Sequence, residues 1–408
     1  FVSETAPEPP AFKQESPIFD NIDWHKAIAS KFSANSRLQK PADWASYKFC
    51  FIYGQTDPTL FDHSNWRLCA HKALGAKDFS TLTADYFDQD DPELIEFIAQ
   101  HTLPRRGILA EEDEILVTLG AQNALWLATQ VLLEKGRTAV IENPCYPALR
   151  DILKQSKCTT TAVDVDDKGM PPEYIPENTD VIFSTPSHQC PTTGTMPLGR
   201  REGLLKRAKE LDALIIEDDY EFEMSFITRP SPSLKSLDQD GRVIYVGSFS
   251  KSLFPGLRLG YLVGSKPFIK EARALRASVL RHPPGHIQRT TAYFLSLGHY
   301  DAMIKRLVAA YSERRTVMEN AINQNGLEIA GKGAHGGSSF WMRAPRGSDT
   351  QHLAKVLRDS STFIEPGRPF FGGRFRPKHF YRIAYSSISV ELIEMGIRQI
   401  AMAMRAKK

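Results

Sequence analysis

Five short apolar runs, each ending in polar residues and each separated from the next by a stretch of helical character, restrict what this chain can fold into. Ile115-Leu116-Val117-Thr118 leads to Gly120-Ala121-Gln122 and an apolar helix through Leu133. Thr138 to Glu142 precedes Asn143-Pro144, and Asp180 to Phe183 ends at Ser184-Thr185-Pro186. Ala213 to Ile216 ends at Glu217-Asp218-Asp219-Tyr220, and Val243 to Val246 stops just before Ser248. Continuous apolar runs of strand length, alternating with helices, read as parallel strands covered on both faces. The expected class is therefore α/β, with a mostly parallel central sheet and helices on both sides. In such sheets ligands lie beyond the carboxyl ends of the strands. The polar clusters all fall there, which predicts one site built from five loops.

The last of these clusters is the most informative. Ser248-Phe249-Ser250-Lys251 is followed by Pro255-Gly256-Leu257-Arg258-Leu259-Gly260-Tyr261. A lysine at the end of a buried strand is an odd place for a solvated cation. With hydroxyls just before it and a guanidinium after it, the stretch fits a Schiff-base lysine holding pyridoxal 5'-phosphate (PLP), with Ser248, Ser250 and Arg258 on the phosphate. The rival reading of Lys251 alone is a surface loop lysine.

Other residues carry paired readings. Asp218 could accept from a protonated pyridine nitrogen and make the ring an electron sink, or could simply cap a loop. Tyr220 could donate to a ring oxygen, or be a half-buried aromatic. Ala121 and Gln122 open a helix whose N–H groups suit a phosphate. Tyr146 could stack on a ring, or be core. Arg382, inside the apolar strand Tyr381-Arg382-Ile383-Ala384, needs an anion: a ligand carboxylate or an internal salt bridge. Arg368 could add a second positive contact. His188, Gln189 and His335 read as supporting residues.

Composition narrows the class further. Net charge of +3 gives no case for a nucleic-acid-binding face within these residues. No apolar run reaches transmembrane length, so no membrane partner is expected. Five scattered cysteines (Cys50, Cys69, Cys145, Cys158, Cys190) lack metal-ligand spacing, which points to no metal and a reduced, cytoplasmic setting.

The expected organisation has four parts. Residues 1–17, rich in Pro, Glu and Ser, form a linker. Residues 18–81 form an N-terminal arm and part of a small domain, with a short helix from Asp23 to Phe32. Residues 82–286 form the large PLP-binding domain. Residues 287–408 hold a long helix from Ile287 to Asn323 and a smaller C-terminal α/β domain, with strands near Ser339–Arg343 and Tyr381–Tyr385. The chain opens on Phe1 rather than methionine, which predicts a piece of something longer.

Together these residues resemble a fold-type I PLP-dependent transferase of the aspartate aminotransferase superfamily, from about Phe61 to the C-terminus. The Ser-x-Ser-Lys…Pro-Gly-x-Arg-x-Gly stretch is the specific part. The resemblance implies Lys251 as the aldimine lysine and Asp218 as the pyridine-nitrogen partner. It further implies Tyr220 on the ring oxygen, Tyr146 stacked, and Ser248, Ser250, Arg258 and the amides of Ala121 and Gln122 on the phosphate. Arg382 would take the ligand carboxylate.

Finer details are similar to the MocR subfamily of GntR transcriptional regulators. These are Asp57-Pro58-Thr59-Leu60-Phe61…Trp66-Arg67, Thr185-Pro186-Ser187-His188-Gln189-Cys190-Pro191-Thr192-Thr193-Gly194, and the spacing Glu217-Asp218-Asp219-Tyr220. Phe1-Val2-Ser3-Glu4 resembles the end of a winged helix, so DNA would be met only through a domain absent from this chain. Tyr86-Phe87-Asp88-Gln89 departs from the regulators' Tyr-Gly-Asp-Pro pattern. The resemblance implies a homodimer that senses an amino-containing effector bearing a carboxylate or sulfonate through external aldimine formation, with little or no turnover. The alternative is an active aminotransferase working between an amino acid and a 2-oxo acid, with Lys251 as general base. Amino acids, γ-aminobutyrate, taurine and ectoine-pathway intermediates all fit as effectors.

Overall fold

A computed structural model of the chain describes residues 21–33, 40–85, 89–227, 231–331, 333, 336–374 and 376–406. The chain divides into a short unit, Phe1–Ser36, and a large one, Arg37–Lys408. In the short unit the carboxylate of Asp23 accepts from His25 N at 3.1 Å and caps a helix. That helix covers only Trp24–Ala27, because Ile28 is already extended, and so it ends well short of Phe32. It buries no face, and a single exposed turn has little to hold it.

The large unit is built on a seven-stranded sheet. Its strands are β1 (Ile115–Thr118), β2 (Thr138–Asn143), β3 (Thr159–Asp164), β4 (Val181–Ser184), β5 (Leu214–Asp218), β6 (Val243–Ser248) and β7 (Gly260–Val263). They lie in the order β1-β7-β6-β5-β4-β2-β3. Neighbours from β6 through β3 are parallel, and β7 runs antiparallel to both β6 and β1. All the predicted strands are present, and β3 and β7 complete the sheet.

Successive side chains leave a strand on opposite faces, and both faces here are covered. Ile141, Phe183, Ile216 and Ile244 join one core with Leu125, Leu127, Leu149, Leu153 and Ile269, from helices Ala121–Leu132, Pro147–Ser156 and Lys266–Leu280. Val140, Ile182, Ile215 and Val243 pack on the other face against Leu204 and Ala208 of helix Leu198–Glu210. Double-sided burial is what makes these strands read as unbroken apolar runs.

The helical stretch expected over Ile287–Asn323 is two helices, Gly285–Ser296 and His299–Gln324, because the chain turns at Leu297-Gly298. A four-stranded antiparallel sheet follows, in the order Glu365–Pro366, Phe380–Ala384, Ser339–Arg343, Glu328–Ile329. The early segment Phe49–Cys50 runs parallel to Thr362–Phe363. Phe51 continues it, donating to Phe363 O at 3.1 Å and accepting from Ala384 N at 3.0 Å. This docking delivers Tyr53 and Gly54 to the site described below. Among the described residues no helix is long and apolar enough to cross a membrane, and no cluster of His, Cys, Asp or Glu is arranged to hold a metal.

Candidate functional site

The carboxyl ends of β2, β4, β5 and β6 open on the same side of the sheet. Asp218 is the last residue of β5, and Ser248 is the last of β6, three residues before Lys251. One carboxylate oxygen of Asp218, Oδ1, is buried without a hydrogen-bond partner among the described residues. Burial and the neighbouring charges of Asp219 and Glu142 push its carboxyl up to about 7, with Lys251 pulling it back. Asp219 differs: its Oδ2 accepts from Arg106 Nε at 2.7 Å and from Tyr245 OH at 2.9 Å. Asp219 Oδ1 also lacks a partner among the described residues, but Asp219 is anchored through its other oxygen, whereas Asp218 ends the strand. A small cavity in front of it is lined by Tyr146, Thr185 and Ile216.

A group of hydrogen-bond donors gathers at the end of β1. Gly120 has φ +81°, and a Cβ built there would come within 3.2 Å of Arg258 Nη2. Glycine thus lets the guanidinium close against the start of helix Ala121–Leu132. That helix has no side-chain cap, so its leading amides at Ala121 and Gln122 face an open end. Arg258 Nη2 donates to Leu119 O at 3.0 Å. Ser248 Oγ accepts from Ser250 N at 3.2 Å, while the buried hydroxyl of Ser250 has no partner among the described residues.

Lys251 sits with Nζ 4.0 Å from the centroid of the Tyr53 ring. Burial lowers its ammonium to about 8, against the opposing pull of Glu221 and with help from Lys40 and Arg382. Tyr220 OH donates to His188 O at 3.0 Å, and Tyr146 OH donates to Gln122 Oε1 at 3.1 Å. Tyr146 also stands at the start of helix Pro147–Ser156. Burial raises both phenols, that of Tyr146 to about 12.

Arg382 meets Glu365 directly across two antiparallel strands. Its Nε donates to Glu365 Oε2 at 2.8 Å and its Nη2 lies 2.7 Å from the same oxygen. The guanidinium is sandwiched between the rings of Tyr53 and Phe370, at 3.7 and 4.7 Å from their centroids. Thus the internal salt bridge considered from the sequence exists, and Arg382 also faces the lysine's aromatic neighbour. Arg368 instead donates to Gln351 Oε1 at 3.4 Å, and the second cation beside Glu365 is Lys40, at 3.9 Å.

Gln189 braces the site from below: its amide donates to Glu142 Oε2, Pro144 O and Cys190 O at 2.8 to 3.0 Å. His188 Nε2 lies 3.2 Å from Glu221 Oε2, and burial lowers its pKa so that the ring stays neutral near pH 7. Glu221 also accepts from Ser338 Oγ and, at 3.3 Å, from Tyr53 OH. His335, Phe1 to Glu4 and Tyr86 to Asp88 lie outside the described residues. Tyr53, Gly54, Lys40, Glu221 and Glu365 went unremarked in the sequence as site residues.

Residues 60–400 match the family model for aminotransferase class I and II. The chain is 54% identical over 405 residues to the HTH-type transcriptional regulator TauR of Rhodobacter capsulatus, covering 99% of this chain and 84% of that protein. It is 32% identical to the probable rhizopine catabolism regulatory protein MocR of Rhizobium meliloti, over 66% of this chain and 55% of that one. The kynurenine aminotransferase of Pyrococcus horikoshii, solved in complex with PMP, superposes with a TM-score of 0.85 at 24% identity, covering 94% of this chain and 98% of that one.

Proposed function

The chain belongs to the aminotransferase class I and II family and to the MocR subfamily of GntR transcriptional regulators, and on that footing we propose that it is a sensor in which PLP held at Lys251 meets a small amino compound bearing a carboxylate or sulfonate. The observation that carries this reading is that two buried oxygens, Asp218 Oδ1 and Ser250 Oγ, have no partner among the described residues and stand beside a lysine whose ammonium is weakened. Buried polar atoms are ordinarily satisfied, so orphans gathered in one site, these two with Asp219 Oδ1 and Glu365 Oε1, fit a missing polar ligand.

When bound, the cofactor supplies an aldehyde carbon for covalent capture of amines and an electron-withdrawing ring. The chain's own residues prepare for it. Lys251, lowered to about 8, is neutral in about a tenth of molecules at pH 7, far more often than a solvated lysine. Asp218 would accept the ring N–H, and a cationic partner there would draw its carboxyl back down. Ser248, Ser250, Arg258 and the amides of Ala121 and Gln122 would neutralise the phosphate, with Tyr220 on the ring oxygen and Tyr146 stacked. Arg382 would hold the acid group of the effector, and occupancy would be passed on as a change in DNA affinity of a two-fold dimer.

Borohydride reduction of PLP-saturated protein followed by mass spectrometry should place a pyridoxyl group on Lys251. An unmodified Lys251 peptide overturns the reading. Taurine or γ-aminobutyrate should then change both the cofactor's absorption and the regulator's DNA affinity. A second reading, transamination, rests on the lowered ammonium of Lys251, which suits a general base. Steady-state turnover of an amino acid and a 2-oxo acid at about 1 per second or faster would favour it.

A further inference from the structure

Lys40, Arg382 and Glu365 form a cluster with one positive charge in excess. Glu365 and Arg382 are both 3% exposed, and their strands place them opposite each other, so neither residue can withdraw its backbone. Arg382 packs against the rings of Tyr53 and Phe370, 3.7 and 4.7 Å from their centroids, which restrains its guanidinium. Glu365 spends one oxygen on Arg382, whereas its other oxygen, Oε1, is buried without a hydrogen bond among the described residues. Lys40 Nζ stands 3.9 Å from that free oxygen, just beyond hydrogen-bond distance, and donates instead to Tyr53 O. The same Tyr53 ring lies 4.0 Å from Lys251 Nζ, so the cluster borders the point of amine capture.

Resting on the reading of Lys251 given above, we propose that Glu365 is a built-in occupant of the effector's acid subsite, displaced from Arg382 onto Lys40 when a singly charged carboxylate or sulfonate arrives. A side-chain rotation suffices, because the acceptor cation is already adjacent. The exchange ends with two ion pairs where there had been one shared anion, and the surplus charge is cancelled. An amine without an acid group has nothing to offer Arg382 and leaves the Glu365 pair closed. A doubly charged acid would overfill the cluster. Glu365 and Lys40 thereby select zwitterions, and the pair's opening distinguishes them from simple amines.

The test compares taurine and γ-aminobutyrate with butylamine, read by absorption of the bound cofactor in the 408-residue chain. Glu365→Gln removes the competing charge and should tighten both acids at least tenfold with butylamine unchanged. Lys40→Met removes the receiving cation and should weaken both acids at least tenfold relative to butylamine. Calorimetry with ethanesulfonate, which has no amine, reports the acid subsite alone. Tighter ethanesulfonate binding in Glu365→Gln without any absorption response to amines supports the exchange and sinks the cofactor reading. An unchanged or lowered preference for acids in Glu365→Gln by both readouts overturns the exchange and leaves the cofactor reading standing.

Discussion

Gly54 and Lys251 are in backbone-to-amine contact: a Cβ built on Gly54 would lie 2.5 Å from Lys251 Nζ. Gly54 also has φ +79°, a conformation that L side chains adopt at a cost of about 1–2 kcal/mol. Any other residue here would strain the backbone and would have to push the lysine amine aside.

Gly54→Ala should displace the lysine without unfolding the sheet. The expected outcome is a loss of roughly tenfold or more in PLP linkage at Lys251, since ångström-scale misplacement of a reacting group has effects of this size. Borohydride labelling checks it alongside an unchanged circular dichroism spectrum. Full labelling would show that the amine tolerates being moved.

Asp218 gives a pH dependence with a defined sign. Its carboxyl is raised to about 7 in the ligand-free protein, so it carries a proton below that pH and becomes an anion above it. Only the anion can hold a protonated ring nitrogen. PLP affinity should therefore rise as pH increases from about 6 to 8, and Asp218→Asn should both weaken binding and remove that step. Fluorescence titration of PLP at several pH values measures both effects.

Lys251 has the opposite charge type and acts on rate. With its ammonium lowered to about 8, the neutral amine grows with pH up to that point and then saturates. Stopped-flow linkage of PLP, best followed in Asp218→Asn so that only one group titrates, should accelerate about tenfold per pH unit below 8 and flatten above it. An ordinary solvated lysine would keep accelerating to beyond 10.

Arg106, 4% exposed, pairs with Asp219, 2% exposed, directly beside Asp218. Arg106→Met leaves that aspartate buried and unpaired, which costs about 3–5 kcal/mol. Urea unfolding should show this loss. Loss of the Arg106 cation should also raise the Asp218 carboxyl further and move the PLP-binding step to higher pH.

The sheet was legible because β1, β2, β4, β5 and β6 are buried on both faces and leave an uninterrupted apolar trace. β3 escaped notice because it lies at the sheet edge, where Thr159, Thr160 and Asp164 are exposed and the run is polar. β7 starts at the last glycine of the Pro-Gly-x-Arg-x-Gly stretch, so its short apolar run follows directly on residues that read as loop chemistry. In the site, residues at strand ends could be found by position alone, as with Asp218 and Lys251. Tyr53, Lys40 and Glu365 could not, since long-range docking of Phe51 on Phe363 and Ala384 brings them in, and neither periodicity nor local spacing records such a meeting.

The segment from Asp57 to Arg67 ends in a ring cluster whose members touch the lysine loop. Phe61 and Trp66 meet Phe254, three residues past Lys251, edge to face at 5.1 and 5.3 Å between centroids. Trp66 belongs to the helix His63–Ala73. Interlocked rings transmit displacement because close packing leaves no slack to absorb it. Phe254 thus ties the lysine loop by direct ring contact to that helix, which lies toward the start of the chain.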